Sequence, residues 1–190
     1  MKTKERLKLF KEELELISKP IIREFVEECL TRAPDYVFED CPSSSSGKYH
    51  PIEELGADGT IIHTKKVFAV AYELSRGFDV EHHRDEVCAA ALLHDMVKQG
   101  LTGSGHTIKT HPQLMSKFAA DIYREKFRGK LSKESATMIC SGIFYHYGPW
   151  SSPDIKKPLN EYTMEEMVVY TADYVTSKRF IHVDSKRRGL

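Results

Sequence analysis

An all-α fold is predicted by three features of this sequence. Apolar residues recur at three- and four-residue spacing through most of the long segments, with little of the strict alternation that marks strands. Proline, glycine and serine gather between those segments, chiefly from Ala33 to Thr60 and from Pro149 to Pro158. With 190 residues, 41% of them hydrophobic and 29% charged, the chain suits one domain, residues 1–190, around a sizeable core.

In chain order, Leu7, Phe10, Leu14 and Ile17 make an apolar stripe that stops before Pro20, and that proline opens a second helix from Ile21 to Leu30. Residues 1–33 are expected to pack on the outside of the domain. The prolines, the glycines and the run Ser43-Ser44-Ser45-Ser46 make residues 34–60 a long irregular segment, a loop or lid. Loops of that length in compact domains are functional or disordered. Four helices follow, at about His63–Arg76, Glu81–Lys98, Pro112–Phe127 and Ser132–Tyr145, and a last one runs from Thr163 to Lys178. Residues 61–180 therefore hold the expected core. No internal repeat is visible.

Charge and cysteine usage narrow the possible partners. Lys+Arg and Asp+Glu balance at 28 each, so no global field steers the chain toward a nucleic-acid polymer or an anionic membrane, while a small phosphorylated substrate stays open. Cys29, Cys41, Cys88 and Cys140 form no CxxC pair and read as reduced core thiols. The start Met1-Lys2-Thr3-Lys4-Glu5-Arg6 is charged rather than apolar, and no run approaches the length of a membrane span. The expected address is the cytoplasm; the oligomeric state is left open.

The chemistry concentrates at His94 and Asp95. They end the apolar run Ala89-Ala90-Ala91-Leu92-Leu93, where a helix enters the core, and a carboxylate taken out of water there must be paired, hydrogen-bonded or bound to a metal. The candidate partners also lie on apolar helical faces: His63 aligns with Val67, Val70 and Leu74, His146 with Ile139, Gly142 and Ile143, and Asp173 with Val169 and Tyr170. One such histidine is ordinarily a satisfied core residue. Several, on separate helices, would each need an independent partner, and a shared metal is the simpler account. Imidazole and carboxylate donors suit manganese, iron, cobalt, nickel or magnesium, and the lack of a thiolate cluster argues against a structural zinc knuckle.

These residues resemble a known family. His63 in Gly59-Thr60-Ile61-Ile62-His63-Thr64, the stretch Leu92-Leu93-His94-Asp95-Met96-Val97-Lys98, and Asp173 in Thr171-Ala172-Asp173-Tyr174 are similar to the H…HD…D signature of the HD-domain metal-dependent phosphohydrolases. His111 in Thr110-His111-Pro112 and His146 in Tyr145-His146-Tyr147-Gly148 resemble the two further histidines of its two-metal members. The resemblance implies an HD-type helical bundle. It also implies a first divalent ion on His63, His94, Asp95 and Asp173, and a second on His111 and His146 with Asp95 bridging. Such a pair would activate a water and neutralise phosphoryl charge, which favours hydrolysis of phosphate mono- or diesters.

Around this set, Lys98 lies one turn after His94 and could hold a substrate phosphate, or could simply pair with Asp95. The segment Ser45-Ser46-Gly47-Lys48-Tyr49-His50-Pro51 offers Ser46, Lys48 and His50 to a phosphate, or is a plain solvent loop. It is not a P-loop, because Tyr49 follows Gly47-Lys48 where Ser or Thr is needed. Tyr145, Tyr147 and Trp150 could stack on a nucleobase or close the core. Lys65, Lys66, His82, His83 and His182 read as solvated, as does the basic tail Lys186-Arg187-Arg188. His106 could replace His111, but the proline after His111 suits a helix start.

The function expected is a metal-dependent phosphohydrolase acting on a small phosphorylated metabolite, a nucleotide or dinucleotide, with Asp95 and Lys98 in catalytic roles and Tyr147 beside the substrate. Two alternatives stand beside it: a di-iron oxygenase on the same fold, and a non-catalytic binding module stabilised by its metal.

Overall fold

The computed structural model describes residues 3–185, in which nine α-helices and no strand occur. Met1, Lys2 and the tail Lys186-Arg187-Arg188 lie outside the described residues. The helices are α1 (Thr3–Leu9), α2 (Lys11–Leu16), α3 (Pro20–Arg32), α4 (Tyr36–Glu39), α5 (Gly59–Gly77), α6 (Arg84–Leu93), α7 (His111–Ile122), α8 (Lys133–Tyr145) and α9 (Met164–Thr176).

Helix α6 is the central rod and packs against α3, α5, α8 and α9. Every residue from Asp85 to Leu93 is buried, which explains the alanine run. Small side chains on all faces let neighbouring helices approach from every side. Gly142 of α8 answers them, since a Cβ there would sit 3.0 Å from that of Ala90 and 3.3 Å from Cγ2 of Val169. The helix starts are locally encoded. Thr163 and Glu166 form a capping box on α9, Ser132 caps α8, and Pro112 occupies the first turn of α7.

The structure departs from expectation in four places, each with a local cause. The first apolar stripe is two helices, because the backbone turns at Phe10 (φ −113°, ψ 22°) and sends that ring fully into the core. The segment expected to run from Glu81 to Lys98 begins as a 3-10 turn at Glu81–His83 and leaves α-geometry after Leu93. Hydrogen bonds of the i to i+3 kind, Leu93 to Met96 at 3.1 Å and Asp95 to Lys98 at 3.0 Å, replace it. Helix α7 ends in a π-turn, Tyr123–Phe127, that carries Phe127 edge-on to Phe25 at 5.3 Å.

The stretch 34–60 is the fourth. It holds α4 and a 3-10 turn at Ile52–Glu54, and its backbone is stitched to the start of α5: Cys41 N–H donates to Ala57 at 2.8 Å, Thr60 to Cys41 at 2.8 Å and Ser43 to Glu54 at 2.9 Å. Gly59 permits this closeness, because a Cβ there would lie 1.9 Å from the carbonyl oxygen of Glu54. The segment is thus a strap laid across the top of α5.

Candidate metal centre

The helices bring their polar residues to one point. His63 stands in the second turn of α5, His94 and Asp95 in the turn that ends α6, His111 opens α7, His146 follows α8, and Asp173 lies in the last turns of α9. All are buried except Asp173, which is partly so. His63 Nε2 lies 2.9 Å from Asp173 Oδ1, and His94 Nε2 lies 3.9 Å from the same oxygen and 3.5 Å from Asp95 Oδ2. On the other side, Asp95 Oδ1 is 3.1 Å from His111 Nε2 and 3.8 Å from His146 Nε2. Donor atoms of His63, His94 and Asp173 lie within 4.8 Å of one another, as do those of His94, Asp95 and His146.

Three of the histidines are oriented by the same device. The Nδ1–H of His94 donates to the Ala91 carbonyl, that of His111 to Ile108 and that of His146 to Ile143, each at 2.7 Å and three residues back. With Nδ1 committed, Nε2 is the atom that each ring turns toward the cluster, and in the neutral form it carries the lone pair. Burial holds His94 below the ordinary histidine range, and burial with the neighbouring His94 and His111 presses His146 down to about 3, so both stay neutral.

This leaves acceptors facing acceptors. His94 Nε2 and Asp95 Oδ1 are buried and make no hydrogen bond, and each such atom costs about 1–3 kcal/mol. Nε2 of His111 and of His146 stand 3.1 Å apart, where two lone pairs repel unless a proton or cation joins them. Ligands about 2.1 Å from one ion and at right angles to each other are themselves about 3 Å apart. The donor set therefore fits a divalent cation.

His63 is held differently. Its Nδ1 lies 3.2 Å from Oε2 of Glu54 in the strap, and Glu54 also accepts from His50 at 2.9 Å and Lys66 at 2.8 Å. Burial alone would lower His63, but Asp173 and Glu54 reverse this and lift it to about 9. Glu54 itself, fully buried, is held below the carboxylate range because His50, His63 and Lys66 outweigh its burial. Sequence reasoning missed Glu54, since it lies in the stretch read as irregular. The signal available was a pair of acids, Glu53 and Glu54, spaced one turn after His50.

The Lys98 ammonium is buried against Asp95 Oδ2. Burial would raise the Asp95 carboxyl, yet the Lys98 ammonium holds it well below its usual range. A cavity of about 370 Å³ opens onto this cluster, and Ser46, His50, Asp95, Lys98, His111, His146, Tyr147 and Asp173 line it. Lys48 does not; its ammonium rests over the Tyr49 ring at 5.1 Å. Tyr147 meets His111 edge-on at 5.0 Å, whereas Tyr145 faces a wider apolar groove between α7 and α8, away from the cluster.

Other residues also find their places. Lys66 is not solvated: it is buried between Glu53 at 2.7 Å and Glu54 at 2.8 Å, because the strap folds over it. Lys65 reaches Glu13 of α2 at 2.9 Å, and half-buried His83 donates to Glu165 at 2.7 Å. These partners are distant in sequence, so local spacing could not reveal them. His82 and His182 are exposed, as expected, and so is His106, which therefore does not take the place of His111. The four cysteines are free. No described helix is long and apolar enough to cross a membrane.

Comparison with protein families matches residues 60–178 to the HD domain. The chain belongs to the HD-domain family. The matched span starts at the first turn of α5 and ends just past α9, so it takes in all six residues of the cluster. Membership places this HD domain among the metal-dependent hydrolases, in keeping with its His/Asp cluster. No curated protein and no solved structure gives a significant match.

Proposed function

We propose that this HD domain is a phosphohydrolase that cleaves a phosphate mono- or diester of a small metabolite, a nucleotide or dinucleotide. The observation that supports it most is that the imidazoles of His111 and His146, the carboxylates of Asp95 and Asp173 and the Lys98 ammonium line one cavity, with the unpartnered Nε2 of His94 3.5 Å from Asp95. Its volume, about 370 Å³, is at the lower end of the range for small-molecule sites, about 300–1,000 Å³.

In this reading His63, His94, Asp95 and Asp173 hold one divalent ion, and His111 and His146, with Asp95 shared, hold a second. Bound cations supply Lewis acidity toward a phosphoryl oxygen and make water a better nucleophile at neutral pH. Lys98 neutralises charge on the phosphoryl group while its pairing with Asp95 keeps it in place. Glu54 Oε2, 3.2 Å from His63 Nδ1, favours a proton on that nitrogen and so leaves Nε2 for the ion. Ser46 and His50 face the same cavity from the strap and orient the phosphate.

The test is release of phosphate or nucleoside monophosphate from a nucleotide and dinucleotide panel, with manganese or cobalt added and metal content measured. Turnover that disappears in Asp95→Asn supports the proposal. Metal-loaded protein inert across the panel, or iron-dependent oxygen uptake with an organic substrate, would overturn it.

A further inference from the structure

The cavity does not end at the polar cluster. Its lining continues through Tyr49, Trp150, Tyr174 and Lys178. These rings are large and unusually open to solvent: Trp150 is 53% exposed, Tyr174 39% and Tyr49 57%. A ring that closes a core is covered; these are not.

They are nonetheless arranged. The indole of Trp150 and the Tyr174 ring stack with centroids 5.6 Å apart and planes 20° from parallel, and the Lys178 ammonium sits 3.7 Å from the Tyr174 centroid and 5.4 Å from that of Trp150. The turn that delivers Trp150 depends on Gly148, whose φ is +53° and whose added Cβ would lie 2.3 Å from the Tyr170 ring. The short helix Gly148–Trp150 therefore lies directly on α9. Tyr174 follows Asp173 in the chain, so the stacked pair stands immediately beside the cluster.

We propose that Trp150, braced by Tyr174 and Lys178, is the specificity-determining subsite that seats the planar base of the nucleotide, so that esters of a sugar or polyol lacking such a ring bind less well. The proposal rests on the hydrolase reading for the position of the phosphate, at Lys98. An aromatic face is sequence-tolerant, because every nucleobase has a π-surface, so the subsite selects for a base and not for one particular base. Lys178, already attracted to the ring faces, adds a cation beside the electron-rich edge of the base.

Trp150 is the chain's only tryptophan, so its fluorescence reports this subsite alone. Wild-type protein with magnesium is titrated with the monophosphates of adenosine, guanosine, cytidine and uridine, and separately with ribose 5-phosphate and with inorganic phosphate. At least one nucleotide is expected to quench saturably, with a half-saturation roughly tenfold below that of ribose 5-phosphate. Calorimetry on Trp150→Leu is expected to show that nucleotide bound roughly tenfold more weakly, and Trp150→Phe to restore the affinity.

Absence of quenching by all four nucleotides, equal half-saturation for ribose 5-phosphate, or unchanged affinity in Trp150→Leu would each overturn the ring subsite. Quenching without any hydrolysis counts against the phosphohydrolase alone. Equal kcat/KM on nucleotides and ribose 5-phosphate with no quenching counts against the ring subsite alone.

Discussion

Nε2 of His111 and Nε2 of His146 face each other across 3.1 Å while both rings donate Nδ1–H to carbonyls of their own chain. Asp95 Oδ1 lies 3.1 Å from the first of these nitrogens and 3.8 Å from the second, so a cation among the three would be held by all of them. Cation removal should therefore destabilise the bundle, and saturating manganese, at 100 times its dissociation constant, should add about 2.7 kcal/mol to the unfolding free energy. Thermal unfolding with and without chelator measures this. His146→Ala should lower the bound metal per chain; unchanged stoichiometry would contradict the assignment.

Asp95→Asn tests the buried pair with Lys98. From the sequence alone this substitution is expected to lower activity more than stability. Burial of the Lys98 ammonium against Asp95 adds a second effect, because removing the carboxylate charge strands a buried cation, at about 3–5 kcal/mol. We expect activity to fall at least a hundredfold and urea midpoints to drop as well. The double variant Asp95→Asn, Lys98→Met should recover most of the stability and none of the activity.

Glu54→Gln should weaken metal binding by about 10- to 100-fold, as expected for a group that orients a ligating histidine. The amide keeps the shape but leaves Lys66 with Glu53 as its remaining carboxylate partner. Metal titration followed by calorimetry gives the affinity, and an unchanged value would remove Glu54 from the site's support.

Gly59→Ala should act at a distance from any ligand. Its Cβ would meet the Glu54 carbonyl at 1.9 Å and the Ser43 nitrogen at 2.7 Å, so the strap must lift and take Glu54 with it. Overpacking of this kind costs about 1–3 kcal/mol. The variant should show both a lower melting temperature and weaker metal binding, whereas Gly77→Ala, with open space around its Cβ, should show neither.

Stability of the cation-free protein should depend on pH with a predictable sign. His63, lifted to about 9, contributes stability that is fully present below about 6.5 and lost as pH rises through 9, on the order of 3 kcal/mol. His146, pressed to about 3, works oppositely: its contribution is present above about 6.5 and fades as pH falls toward 3. Urea unfolding of chelated protein should peak near neutral pH. Added cation must displace the His63 proton, so its affinity should rise between pH 6.5 and 9. A flat profile in chelator would contradict the His63 assignment.

Much of the candidate site was legible because His63, His146 and Asp173 sit on apolar helical faces, and polar residues at such positions are conspicuous by spacing alone. His94 and Asp95 follow an unbroken apolar run, and His111 precedes a proline that marks a helix start. Glu54 and Lys66 were illegible for the opposite reason. Their environment is made by a strap folding back over α5, which no helical period encodes. The helix break after Leu93 was equally hidden, since a change from i+4 to i+3 bonding leaves the apolar pattern intact. Trp150 was visible as a candidate, but its pairing with Tyr174 needed the turn at Gly148.

His63 and Asp173, in hydrogen-bond contact, are separated by 110 positions along the chain. Closing so large a loop belongs to the slow, late part of folding. An ion caught there ties α5 to α9, as a clasp ties a belt. Capture of the cation during refolding will consequently lag behind the appearance of helical signal and coincide with closure of the entire bundle.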